Sequence, residues 1–161
     1  MRIGIGYDVH RFAPGRPLIL GGVHVPHDSG LLGHSDADVL THAVCDALLG
    51  AAALGDIGRH FPDSDERYAD ADSILLLERV AAMLHDADFA VGNVDVTVAI
   101  ESPRLSPYVD GMRERLAGAL GMTKDRVSVK ATTTEGLGFV GVKEGIAAYA
   151  VCTLMEAEKR P

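Results

Sequence analysis

From Asn93 to Glu101 the chain alternates without a break: Val94, Val96, Val98 and Ile100 are apolar, and Asp95, Thr97, Ala99 and Glu101 stand between them. A period of two sends successive side chains to opposite faces, so this segment predicts a strand with one buried face, and such a strand needs a sheet with a covering layer. Helices supply that layer. Ser35–Leu54 reads as the clearest one, with Ser35 as its cap, Asp38 three residues later as in a capping box, and Gly55 just past its end. A second helix is expected at about 72–87, where Ile74, Leu77 and Ala81 share a face, and a third at 107–120, with Pro107 early and Gly121 just after it.

Further strands are expected at 2–11, 126–132 and 145–156. Leu18–Val25 reads as a hairpin about Gly21-Gly22, while 26–34 and Asp56–Asp65 read as loops. The fold class that follows is α+β, a mainly antiparallel sheet with helices on one face. At 161 residues and 47% hydrophobic composition, residues 1–161 are expected to form a single domain around one core. Only 5% of the residues are aromatic and none is Trp, so Ala, Val, Leu and Ile must fill it. Cys45 and Cys152 lie in apolar segments and are expected as buried free thiols, and core packing is the simpler expectation for Tyr7, Phe139 and Tyr149.

A formal net charge of -8 argues against a nucleic-acid partner, whose phosphates call for clustered Lys and Arg. No apolar run reaches the roughly 18 residues that span a bilayer, and MRIGIGYDVHRF leaves no room for a secretory apolar region. A cytoplasmic protein without a membrane partner is expected.

In Asp8-Val9-His10 a strand would turn the carboxylate and the imidazole to the same side. His42, within the first helix, can supply a third ligand from a rigid mount. Asp, His and His are borderline ligands suited to zinc, and three of them leave a fourth tetrahedral position for a substrate oxygen. Asp38, His42 and Asp46 fall at i, i+4 and i+8, so a carboxylate one turn away can orient the His42 ring. Equally, Asp46 can be part of a solvated helix face and Asp38 can be spent on capping.

Taken together, GYDVHRF at 6–12, GLLGHSDADVLTHAVCDALLGAAALGDIGRHFPDSD at 30–65, GNVDVTVAIE at 92–101 and KATTTEGLGFVG at 130–141 resemble the signature blocks of the 2-C-methyl-D-erythritol 2,4-cyclodiphosphate synthase family. The resemblance covers nearly the whole chain, in order. It implies a homotrimer with active sites between adjacent subunits and zinc held by Asp8, His10 and His42. It also implies a cytidylyl diphosphate substrate, 4-diphosphocytidyl-2-C-methyl-D-erythritol 2-phosphate, whose 2-phosphate attacks its own diphosphate and expels CMP in the non-mevalonate isoprenoid pathway.

Residue by residue, the resemblance puts His34 and Ser35 beside the methylerythritol phosphate, with His34 donating to a phosphoryl oxygen. Asp56, Ile57 and Gly58, with Phe61, Pro62, Asp63, Ser64 and Asp65, would enclose the methylerythritol. Ile100, Glu101, Ser102, Pro103, Arg104, Leu105 and Ser106 would receive cytosine and the nearby phosphates. Thr132, Thr133 and Thr134 would follow the diphosphate, with Thr133 polarising it and Glu135 ligating a magnesium or manganese ion, a hard cation suited to oxygen ligands. Phe139 would adjoin the substrate. Where some members carry Arg after Phe139 and bind an isoprenoid diphosphate, this chain has Val142 and Lys143. Two other readings of the same residues are a metal-dependent phosphohydrolase and a noncatalytic trimer that binds isoprenoid phosphates.

Overall fold

The computed structural model describes residues 1–62, 64–68 and 70–156. Its main sheet has five strands: β1 (Arg2–Pro14), β4 (Ser29–Leu31), β5 (Phe89–Ala99), β6 (Val127–Thr132) and β7 (Gly145–Glu156), in the order β4-β1-β7-β5-β6. All neighbours are antiparallel except β5 and β6, which run parallel. Helices α1 (Val39–Ala51), α3 (Ser73–Asp86) and α4 (Val109–Ala119) complete the layer expected from the alternation. Val94, Val96 and Val98 of β5 are buried in one core with Leu40, Leu48 and Leu77 of the helices. Each such leucine, fully removed from water, contributes on the order of 1.5–3 kcal/mol.

β1 lies unusually close to α1. A Cβ added at Gly4 would meet the Ala47 carbonyl oxygen at 1.9 Å, and one at Gly6 would meet that of Ala43 at 1.9 Å. Glycine at 4 and 6, facing alanine at 43 and 47 one helical turn apart, lets backbone press on backbone. That approach brings the next residues on the same strand face, Asp8 and His10, up to His42.

Β2 (Leu18–Leu20) and β3 (Val23–Val25) form the expected hairpin, with Gly21 and Gly22 at φ +57° and +69° in its turn. Four local expectations change. Segment 26–34 contains β4, which hydrogen-bonds to the end of β1. Asp56–Asp65 contains the short helix α2 (Ile57–His60), and Pro107 precedes the third helix, which begins at Val109. Ser35 does not cap α1. Asp38 does, accepting from the N–H and hydroxyl of Thr41 and from the N–H groups of Gly21 and Gly22, so its buried carboxylate also ties the hairpin to the helix.

Cys45 and Cys152 are buried and free. The aromatic expectation reverses: Tyr7 and Tyr149 stack at 4.9 Å on the helix-free face of the sheet, and with Phe139 they stay 40% or more exposed. Ile3, Ile5, Val9 and Val151 share that exposed face. The last short helix, α5 (Gly138–Gly141), covers one end of it through Val140, which packs on Ala99 and Ala147.

Candidate functional site

Asp8 Oδ2, His10 Nε2 and His42 Nδ1 converge at 3.0 Å (Asp8 to His10), 3.1 Å (Asp8 to His42) and 3.3 Å (His10 to His42). A tetrahedral ion bonded at about 2.0–2.1 Å holds its ligands about 3.3 Å apart. The three atoms can therefore close on a metal ion with little movement.

Both rings present the correct nitrogen. His10 Nδ1 lies 2.8 Å from the Leu32 carbonyl, an acceptor only, so Nδ1 carries the proton and Nε2 keeps its lone pair. Behind His42, Asp36 accepts from both the N–H and the hydroxyl of Ser73. With its proton committed to Asp36, Ser73 Oγ accepts from His42 Nε2–H at 2.8 Å, and Ser35 Oγ lies 3.2 Å from the same nitrogen. The lone pair of His42 is thus on Nδ1, toward Asp8. Burial disfavours the Asp8 carboxylate, yet the facing His10 and His42 nitrogens, when they carry protons in place of a metal ion, outweigh it by hydrogen bonding and charge and hold the carboxyl far below its ordinary range. Burial likewise opposes charge on His10, and Asp8 overrides it to raise the imidazole above its usual value.

The expected carboxylate behind His42 is neither Asp38 nor Asp46. Asp38 is spent on capping, and Asp46 accepts from the Ile57 N–H at 2.8 Å, fixing the start of α2. The second ring nitrogen is held by Ser73, whose hydroxyl arrives from 31 residues away. Its only local signal is the Asp72-Ser73 start of α3, which Asp72 caps.

The metal group opens into a cleft lined also by His34, Ser35, Ile57, Gly58 and Phe61, together with Gly33, Tyr68 and Leu76, which the sequence did not single out. Arg16 spans the His34 loop, donating to the carbonyls of Gly33 and Ser35 on either side. His34 Nε2 lies 3.3 Å from the Asp65 carbonyl. Asp56 is exposed and caps α2 through the Arg59 N–H, at 2.9 Å. Asp65 pairs with Arg67, and Asp56, Pro62, Ser64 and Asp65 are absent from the lining of the cleft. Asp63 lies outside the described residues.

A second cleft lies beyond the carboxyl ends of the parallel pair β5 and β6, the usual place for a ligand on parallel strands. Ile100, Glu101, Pro103, Arg104, Leu105 and Ser106 line one side, and Ala131, Thr132 and Thr133 the other. Ser102, Thr134 and Glu135 lie just outside it, and Glu135 accepts from the Thr133 hydroxyl at 3.1 Å. Phe139 borders a separate groove with Val9, His10 and Arg11. The two main clefts share no lining residue. They nevertheless open at one end of the sheet, where His10 pairs with Ile146 and Ala99 with Ala147.

Comparison with known proteins matches residues 1–155 to the YgbB family. The 2-C-methyl-D-erythritol 2,4-cyclodiphosphate synthase of Salinibacter ruber is 65% identical over 157 residues, 98% of this chain and all of that protein. Among solved structures, the bifunctional IspDF from Campylobacter jejuni superposes with a TM-score of 0.92 at 43% identity, covering 95% of this chain and 42% of that one. A CDP complex of IspF from Plasmodium falciparum superposes with a TM-score of 0.85 at 31% identity, covering 98% and 97% of the two chains. Among the described residues no helix is long and apolar enough to cross a membrane.

Proposed function

The chain belongs to the YgbB family, and from that premise we propose that it converts 4-diphosphocytidyl-2-C-methyl-D-erythritol 2-phosphate to 2-C-methyl-D-erythritol 2,4-cyclodiphosphate with release of CMP. It would act as a single-domain, metal-dependent lyase of the non-mevalonate isoprenoid pathway, in the cytoplasm. The observation that carries the reading is the Asp8, His10 and His42 group, tautomers set for a metal, opening into a cleft at the same end of the sheet as a second one beyond the parallel pair β5 and β6.

In the reaction an oxygen of the 2-phosphate bonds to the β-phosphorus, the bond from that phosphorus to the bridging oxygen breaks, and CMP leaves with that oxygen. No protein nucleophile is required. The chain must hold two phosphates together in line and offset their charge. Asp8, His10 and His42 would hold zinc and Glu135 magnesium or manganese, ions that neutralise and orient phosphoryl oxygens when bound. His34 donates toward the attacking phosphate, and Arg16 keeps its loop in place. Thr133 directs its hydroxyl to the diphosphate, while Ile100–Ser106 receive cytosine, with Arg104 near the phosphates. Ile57, Gly58 and Phe61 close over the methylerythritol and exclude water.

One substrate molecule must engage both clefts. Their separation within a chain, and the exposed Ile3, Ile5, Tyr7, Tyr149 and Val151 on the helix-free sheet face, favour a closed trimer in which a neighbour completes each site. Metal-reconstituted protein incubated with the cytidylyl substrate tests the activity: a cyclic diphosphate and CMP are expected in equal amounts. Ring-free phosphate products would instead identify a hydrolase, and no turnover with retained binding of an isoprenoid diphosphate a noncatalytic binder.

A further inference from the structure

Glu101 ends the alternating strand segment and directs its carboxylate to the loop that follows β6. Its Oε1 accepts from the Thr134 N–H at 2.8 Å and the Gly136 N–H at 3.4 Å, and lies 3.2 Å from the Thr134 hydroxyl, which also reaches the Leu137 carbonyl at 2.7 Å. The two N–H groups flank Glu135. That residue has φ +54°, a left-handed conformation that side chains other than glycine rarely hold without outside support. Thr133 in turn gives its hydroxyl to Glu135. One oxygen atom of Glu101 is thus the hub of the turn that presents Thr133 and Glu135.

We propose that Glu101 is a positioning residue that fixes the 133–136 turn and couples it to occupancy of the nucleotide-side cleft. Glu101 is one of the residues lining that cleft, and its carboxylate holds the turn. A nucleoside diphosphate seated against 100–106 therefore steadies the turn through this carboxylate. The roles of Thr133 and Glu135 toward phosphate rest on the cyclodiphosphate synthase reading; the hydrogen bonds of Glu101 do not. Only acceptor capacity is needed at Oε1, since both of its backbone partners are donors, so Gln can replace Glu here and Ala cannot.

The test measures amide hydrogen exchange in the 133–136 segment of the full-length protein, with and without CDP, for wild type, E101Q and E101A, alongside steady-state kinetics. In E101A, exchange in this segment rises about tenfold or more, as expected when the acceptor of its backbone N–H groups is removed. CDP then no longer slows it, whereas wild type and E101Q keep both behaviours. Turnover in E101A falls mainly in kcat, since the reacting phosphates and not the base lose their partners, and E101Q recovers most of it. Unchanged exchange in E101A with an unchanged response to CDP would overturn the proposal, as would E101Q behaving like E101A. Far-UV circular dichroism and exchange in β5 and β7 separate local loosening from unfolding. Absence of turnover in wild type would remove the assigned reaction while leaving the exchange result standing.

Discussion

Ser73 Oγ stands 2.8 Å from His42 Nε2 while its own proton is engaged by Asp36, so a carboxylate sets the tautomer of an imidazole through an intervening hydroxyl. Such partners typically govern metal affinity by 10–100-fold, a scale set by loss of orientation rather than of a ligand. Ser73→Ala is expected to weaken zinc binding by about that factor with the fold intact, because Asp72 still caps α3. Competition with a chromogenic chelator measures it; wild-type affinity would show that the ring needs no such support.

His42→Ala removes a ligand from a three-ligand group and should abolish tight zinc binding and turnover together. The lost side chain is only 12% exposed but lines a cleft, so the thermal unfolding temperature of the metal-free protein should fall modestly with the fold retained. Bound zinc by elemental analysis and CMP release are measured on the same samples. Normal zinc content would sink the ligand assignment.

Gly6→Ala places a Cβ 1.9 Å from the Ala43 carbonyl oxygen, a contact that only separation of β1 from α1 can relieve. A loss of about 3 kcal/mol or more is expected, the upper part of the range for overpacking. Urea denaturation reads the loss. Because Asp8 and His10 ride on the displaced strand, zinc affinity should fall as well. A variant as stable as wild type would contradict the close approach.

Hydrogen bonds from the Thr134 backbone, and then from Gly136, hold the Glu101 carboxyl below its ordinary range, helped by the charge of Lys143. A depressed folded-state value stabilises the turn above the unfolded-state value and is lost as pH falls through the folded one. Protection factors in 133–136 should therefore persist through the usual carboxylate range and collapse only below it. In E101Q they should be flat across the same window. Collapse at or above the ordinary glutamate value in wild type would contradict the hydrogen-bonded carboxylate.

Ile5 and Val151 are directly paired across β1 and β7, both exposed on the helix-free face. Ile5→Lys should dissociate the proposed trimer, seen by light scattering, and abolish turnover with it. Mixed reassembly of His42→Ala chains with Thr133→Ala chains should restore some activity if the two lesions fall on different subunits of one site. A fully active monomer would remove the shared-site idea.

The pattern 94–101, read alone, determined a one-sided strand and hence a sheet covered by helices, because a period of two is a property of local backbone geometry. Asp8 and His10 were legible for the same reason, two residues apart on one strand. His42 stood out as a candidate third ligand by its place within a helix, and the family resemblance joined it to them in one zinc group; nothing in the local spacing measured the distance. What tertiary structure alone decided were the partners that arrive from far along the chain: Ser73 and Asp36 behind His42, Asp38 drawn from the imidazole to the hairpin N–H groups, and Glu101 bent onto the 133–136 turn. Tyr7 and Tyr149 were misjudged because alternation tells that a strand has two faces, not which of them a second layer will cover. Gly4 and Gly6 settle that choice: by letting α1 lie directly on β1, they commit one face to the helices, place His42 at the end of the strand, and leave the tyrosine face open.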